Sequence, residues 1–132
     1  MRTDKLSPQS LLSTLWIFIL FNMIFRDLHQ FASEGFIQEI MNLKVSEVEL
    51  LIYGVLLEIP ISMVLLSRIL KVKLNKWVNL FAAIISMLGL FSTIPQTDLD
   101  DLFFMAVQVV AYFFIIRTAL RLPQTSKISL KA

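Results

Sequence analysis

Residues 102–116 read Leu-Phe-Phe-Met-Ala-Val-Gln-Val-Val-Ala-Tyr-Phe-Phe-Ile-Ile. The run holds no charge, and its only polar side chains are Gln108 and Tyr112. A helix at the surface of a soluble protein keeps a polar face over such a length, and this one has none. The helix predicted from it extends from about Leu99 to Leu122. Asp98, Asp100 and Asp101 suit the positive end of a helix dipole, and Pro123 stops it. At about 1.5 Å rise per residue, roughly 20 residues cross a hydrocarbon layer about 30 Å thick. The segment therefore reads as a membrane span.

Three similar blocks precede it. The first runs from about Leu11 and continues to Phe31, with Ser7 and Pro8 as an N-cap and a first-turn proline. The second covers Val48 to Leu70, and Ser46 and Glu49 have the spacing of a capping box ahead of it. The third covers Trp77 to Ile94, with Asn75 as a candidate cap and Pro95 as its stop. The expected spans are thus about 10–31, 48–70, 76–95 and 99–122. They form one membrane domain over 1–124, with a flexible cytoplasmic tail over 125–132. The fold class is all-α: an integral membrane four-helix bundle.

Composition agrees. Of 132 residues 57% are hydrophobic and 17% charged, against nearer one half and one quarter in soluble domains. Mean hydropathy is +0.75. With no cysteine, the chain has no disulfide framework, no iron–sulfur cluster and no thiol nucleophile. With one histidine, His29, it cannot build a multi-histidine metal site. Three glycines, none in a phosphate-cradling motif, leave no nucleotide loop. Neither a metal nor a nucleic-acid partner is expected. Read as a secretory signal, the first block meets Arg26 and Asp27 directly after its core and lacks a small-residue cleavage site.

Charge sorts by side. Ten of the twelve basic residues fall at the N-terminus (Arg2, Lys5), between blocks two and three (Arg68, Lys71, Lys73, Lys76), or at the C-terminal end (Arg117, Arg121, Lys127, Lys131). Arg26 and Lys44 alone lie on the other side, with most of the acids. The positive-inside rule then predicts both termini in the cytoplasm, an N-in/C-in protein of the bacterial inner membrane. Within the outer connection from about Ala32 to Ser46, Phe36, Ile37, Ile40 and Met41 fall at helical spacing. They predict a short interfacial helix in the first outer loop.

The candidate site comes from polar residues inside the spans. Glu58 lies roughly 15 Å deep, where an unpaired carboxylate costs at least about 2.5 kcal/mol on insertion scales. It is therefore expected to face the bundle interior, with Gly54 and Ser62 on its side of the helix. Asn22, Arg26 and His29 (or Gln30) share a face of the first span, and Gln108 and Tyr112 share one of the fourth. The six residues Asn22, Arg26, His29, Glu58, Gln108 and Tyr112 are the expected ligand-binding cluster. Arg26 either reaches Glu58 or snorkels outward. Read structurally, the same residues form an ion pair and hydrogen-bond net that fixes helix register. No catalytic constellation is present, since only one acid lies deep in the membrane, so a non-enzymatic role is expected.

The segment Tyr53-Gly54-Val55-Leu56-Leu57-Glu58-Ile59-Pro60 resembles the second span of the DoxX-like superfamily of small bacterial four-helix membrane proteins. Phe31 to Met41, with Gly35-Phe36, is similar to their first outer loop. Leu15-Trp16-Ile17-Phe18, Asn22-Met23-Ile24-Phe25 and Asp27 look closer still to an uncharacterised bacterial family of the same size. The resemblance implies a four-helix bundle in the cytoplasmic membrane, with Glu58 as the second-span glutamate. Some members of the superfamily are linked to quinone-dependent oxidation or redox-stress complexes. Arg26-Asp27 departs from the pattern late in their first span.

Three functional expectations follow. The first is a membrane subunit that binds a small ligand around Glu58 and Arg26, for example a quinone or lipid headgroup, with no resident cofactor. The second is a small dimeric transporter coupled to a proton or ion through Glu58. The third is the membrane subunit of a quinone-linked oxidoreductase, which would need a partner chain. The bilayer is a partner in all three, and a homodimer or larger membrane complex is expected.

Overall fold

A computed structural model of the protein describes residues 6–93 and 98–123. These residues are all-helical: α1 is Pro8–Phe31, α2 is Phe36–Asn42, α3 is Glu47–Ile69, α4 is Val72–Phe91 and α5 is Leu99–Leu120. All but α2 are long and apolar enough to cross a membrane. The tail expected over 125–132 and the stop expected at Pro95 lie outside the described residues.

Local chemistry sets most helix starts. The Ser7 side chain accepts from Ser10 N–H, and Pro8 occupies the first helical turn, where no N–H is needed. Ser46 and Glu49 close a reciprocal capping box at the start of α3. Gly35, the N-cap of α2, has φ +86°, a left-handed conformation that glycine adopts without a Cβ penalty. It turns the chain sharply out of α1, and Phe31 and Phe36 pack edge to face across the turn, 5.5 Å between centroids. The short helix expected in this loop is therefore present, and none of its residues is buried.

The α4 start differs from the reading of Asn75 as a cap. α4 begins at Val72 with Lys71 as N-cap, so Leu70 and Lys71 alone join it to α3. Asn75 is fully buried inside the helix, and its amide donates to the Ser67 carbonyl at 2.7 Å. An interhelical bond, not a cap, is what the side chain serves.

The four long helices form a ring in the order α1, α3, α4, α5, each packed on its two neighbours. Each runs antiparallel to the next. Ser13 of α1 reaches Val64 of α3, near the opposite chain ends of the two helices, and Arg26 of α1 reaches Asp101 of α5. This is an up-down-up-down bundle. The centre holds Leu12, Trp16 and Ile19 of α1, Met63 of α3, Ala82 and Ala83 of α4, and Met105, Tyr112 and Ile115 of α5. Alanines at Ala82, Ala83, Ala111 and Ala119 let the helix backbones approach closely.

Outside, large apolar side chains point away from the protein. Phe21, Leu51, Phe81, Phe103 and Phe113 are each more than half exposed. A water-soluble monomer does not carry apolar surface on that scale. Such a surface suits a multi-pass membrane protein. The antiparallel order also collects charge. Arg68, Lys71, Arg117 and Arg121 share one end of the bundle, the basic end. Asp27, Glu47, Asp98, Asp100 and Asp101 share the other, the acidic end.

Candidate functional site

The two halves of the bundle differ in how they are held. In the half nearer the basic end, a buried hydrogen-bond net ties three helices. Trp16 Nε1 donates to Asn79 Oδ1 at 2.7 Å, and Ser67 Oγ donates to the same oxygen at 3.2 Å. Asn79 Nδ2 donates to Asn75 Oδ1 at 2.6 Å, and to the Asn75 carbonyl at 2.9 Å. Arg68 Nε donates to Ser13 Oγ at 3.1 Å, and Ser13 Oγ donates to the Val64 carbonyl at 2.8 Å. Polar groups without water find partners or cost free energy, so this net fixes the register of α1, α3 and α4.

Toward the acidic end, α3 loses its packing. From Glu47 to Val55 every residue is exposed, and its only buried residues, Pro60, Met63 and Ser67, come later. The gap this leaves is an open-sided cavity of about 320 Å³ lined by all four long helices. Leu56, Leu57 and Pro60 of α3 and Ile85 of α4 supply apolar wall. Gln108 and Tyr112 of α5, both almost fully buried, and Ser86 of α4 supply polar groups. Tyr112 lies beside Ser86, whose Oγ is buried and makes no hydrogen bond of good geometry among the described residues. On the basic-end side Tyr112 meets Trp16 edge to face at 6.0 Å.

A charged cluster holds α1 to α5 beside the cavity. Arg26 Nε lies 3.1 Å from Asp101 Oδ1, with the two side chains 15% and 8% exposed. Gln30 Nε2 donates to Asp101 Oδ2 at 2.6 Å, so both carboxylate oxygens are engaged. Arg26 and Asp27 line the cavity. Further out, His29 Nε2 and Asp100 Oδ2 are 3.0 Å apart on the surface, an ion pair when the imidazole is protonated. His29 also packs on Phe104 at 6.0 Å.

Of the six residues expected to converge, the structure brings together four. Asn22 Oδ1 accepts from Gln108 Nε2 at 3.4 Å, and Arg26, Gln108 and Tyr112 line the cavity. His29 stands at the periphery in its pair with Asp100. Glu58 is exposed on α3, on the side of the helix away from Pro60, Met63 and Ser67, and does not line the cavity. The interior position expected for Glu58 is replaced by an outward one, and of the two courses open to Arg26 the reach to Glu58 gives way to a pair with Asp101 toward the acidic end. Among the described residues, no group of His, Asp and Glu is placed to hold a metal ion.

One comparison with known proteins bears on this geometry. A family profile covers residues 4–129, nearly the whole chain. The chain belongs to DUF6326, a family of unknown function. Neither a curated protein nor a solved structure matches it. The DUF6326 match does not itself extend to the DoxX-like superfamily.

In this DUF6326 chain, sequence reasoning missed the site role of Asp101, Ser86 and the Trp16–Asn79 net, and held Gln30 only as an alternative. Asp101 carried a signal: it precedes Gln108 by seven residues and Tyr112 by eleven, which puts all three on one helix face. Gln30 was an alternative to His29 four residues beyond Arg26, and the structure selects it. Asn79 and Ser86 are polar residues within a long apolar helix and have no visible partner in the sequence.

Proposed function

We propose that the protein is a multi-pass subunit of the bacterial cytoplasmic membrane, with both termini inside, that binds a small amphiphilic ligand in the cavity near its acidic end. The orientation rests on the basic end facing the cytoplasm, as charge asymmetry in membrane proteins favours. The observation that carries the binding role is the cavity itself. It combines apolar walls with a few convergent polar groups, the composition of small-molecule sites. Tyr112 and Ser86 offer hydroxyls, Gln108 an amide, and Arg26 a positive charge at the side. A headgroup bearing carbonyl or phosphate oxygens, attached to an apolar body, fits that chemistry. Quinones and lipids both belong to the class.

A transport pathway finds less support. Beyond Tyr112 the interior is filled by Trp16, Asn79, Asn75 and Ser67, all buried and bonded to one another, so the cavity ends near the middle of the bundle.

The test is native mass spectrometry of protein gently extracted from membranes. The expected result is a retained small-molecule mass in the unaltered protein and its loss in Gly89→Leu. Gly89 lines the cavity, and among the described residues nothing lies within 4 Å of a Cβ added there, so the position accepts a side chain and a leucine takes up space in the cavity it lines. The same mass on both proteins, or none on either, overturns the binding role.

A further inference from the structure

Glu58 is the midpoint of α3, eleven residues from Glu47 and eleven from Ile69. At about 1.5 Å per residue it stands some 16 Å from either end of the helix. It points away from the bundle, and among the described residues it takes part in no salt bridge. Its outward face continues in both directions as Leu51, Val55, Ile61 and Leu65, each about half exposed or more. Gly54 precedes Glu58 by one turn and Ser62 follows it by one turn on the same side.

We propose that a second copy of the chain packs on this face of α3, with the two Glu58 carboxyls hydrogen-bonded to each other. The inference rests on the membrane placement given above, since only in hydrocarbon does an outward carboxyl at mid-helix lack partners. Lipid tails offer it no donor or acceptor, and intramembrane acids accordingly pair or face a polar space. A protein of another kind would have to carry a suitable group at the same depth. A second copy carries one necessarily. Two copies with the same topology are related by a two-fold axis along the membrane normal, so their α3 helices meet in parallel and equal depths coincide.

Two carboxyls in that position are self-complementary. One O–H donates to the other's oxygen, a short bond when the acceptor is ionised. Two ionised carboxylates at that distance do not coexist. Gly54 adds an independent observation. Among the described residues, nothing outside its own turn of helix lies within 4 Å of an added Cβ, so no packing seen there requires a glycine. A bare backbone one turn from the acid lets a neighbouring helix approach, as small residues do between membrane helices.

The absence of cysteine makes the test direct. Leu51→Cys and Leu65→Cys are placed on the face, with Phe18→Cys and Phe113→Cys as exposed controls on α1 and α5. Each purified protein is reconstituted in liposomes at high lipid excess, washed at alkaline pH and treated with an oxidant. Disulfides need Cα atoms within about 7 Å, so only a close helix pair links. The expected result is a cross-linked dimer from Leu51→Cys and Leu65→Cys and none from the controls. In a companion titration, Glu58→Leu raises the dimer dissociation constant about 3- to 30-fold, whereas Glu58→Gln, which keeps a hydrogen-bonding pair, changes it much less. Protein that stays in the washed membrane but links no better than the controls overturns the α3 interface. Protein stripped by the wash overturns the membrane placement beneath it. Cross-linking with no effect of Glu58→Leu overturns the carboxyl pair.

Discussion

Asp101 is where two donors from another helix meet, and it shows what one charge does inside an apolar bundle. Arg26 and Gln30 occupy its two oxygens, and the carboxylate is nearly buried. Removing it strands a guanidinium that is mostly shielded. Asp101→Ala is expected to lower unfolding free energy by about 2–4 kcal/mol, somewhat less than the usual cost of breaking a fully buried pair because Arg26 keeps some exposure. Replacing both partners, with Arg26→Met and Asp101→Leu, should recover part of that loss, since the buried pair goes as a unit, while Asp27 gives up the attraction of Arg26 together with the repulsion of Asp101. Thermal or denaturant unfolding in detergent reads both. A double variant as unstable as Asp101→Ala would show that packing, not charge, is what Asp101 supplies. The pair was half legible in the sequence. Arg26 stood out as a charge inside a span, but its partner was sought by depth, which favoured Glu58. The helix face shared by Asp101, Gln108 and Tyr112 would have favoured Asp101.

Element boundaries were legible wherever a local cap wrote them. Ser7-Pro8 and Ser46-x-x-Glu49 depend on residues three apart, so sequence suffices. The capping box carries a prediction at this scale: Ser46→Ala is expected to cost about 1 kcal/mol, the usual worth of such a cap. The loss should show as faster amide exchange in the first turn of α3, with the half nearer the basic end unaffected. Uniform change along α3 would mean the cap does not act locally. The start of α4 was not legible because Lys71 makes no side-chain cap, while Asn75 has the residue type of one. Helix faces were the hardest to read. In a soluble protein, polarity separates the inside of a helix from the outside. Here the inner face of α3 is Pro60, Met63 and Ser67, and the outer face is Leu51, Val55, Glu58, Ile61 and Leu65. Both are mainly apolar, so hydropathy does not distinguish them, and the one charge away from the helix ends, Glu58, sits on the outer face.

At the scale of the whole molecule, helical class and the number of helices long and apolar enough to cross a membrane were legible, because they depend on the length and continuity of apolar runs. The polar side of the cavity was legible in part, through Arg26, Gln108 and Tyr112, but its opening was not, because that arises from packing that α3 lacks near the acidic end, and no residue type marks a missing contact. Orientation has its own test. In Lys71→Cys and Asp98→Cys variants, an impermeant thiol reagent added to intact cells is expected to label position 98 and spare position 71. The reverse pattern would invert the molecule and move the cavity mouth to the cytoplasmic side.

The short Leu70–Lys71 connection and the Asn75–Ser67 bond have a mechanical meaning. Together they clamp α3 at one end, while the stretch from Glu47 to Val55 bears on little. A rod fixed at one end is a cantilever: a given force moves its tip most and its root least. The wall of the cavity that its own chain steadies least is therefore α3, and in the proposed dimer it is the second copy that braces the tip of this lever.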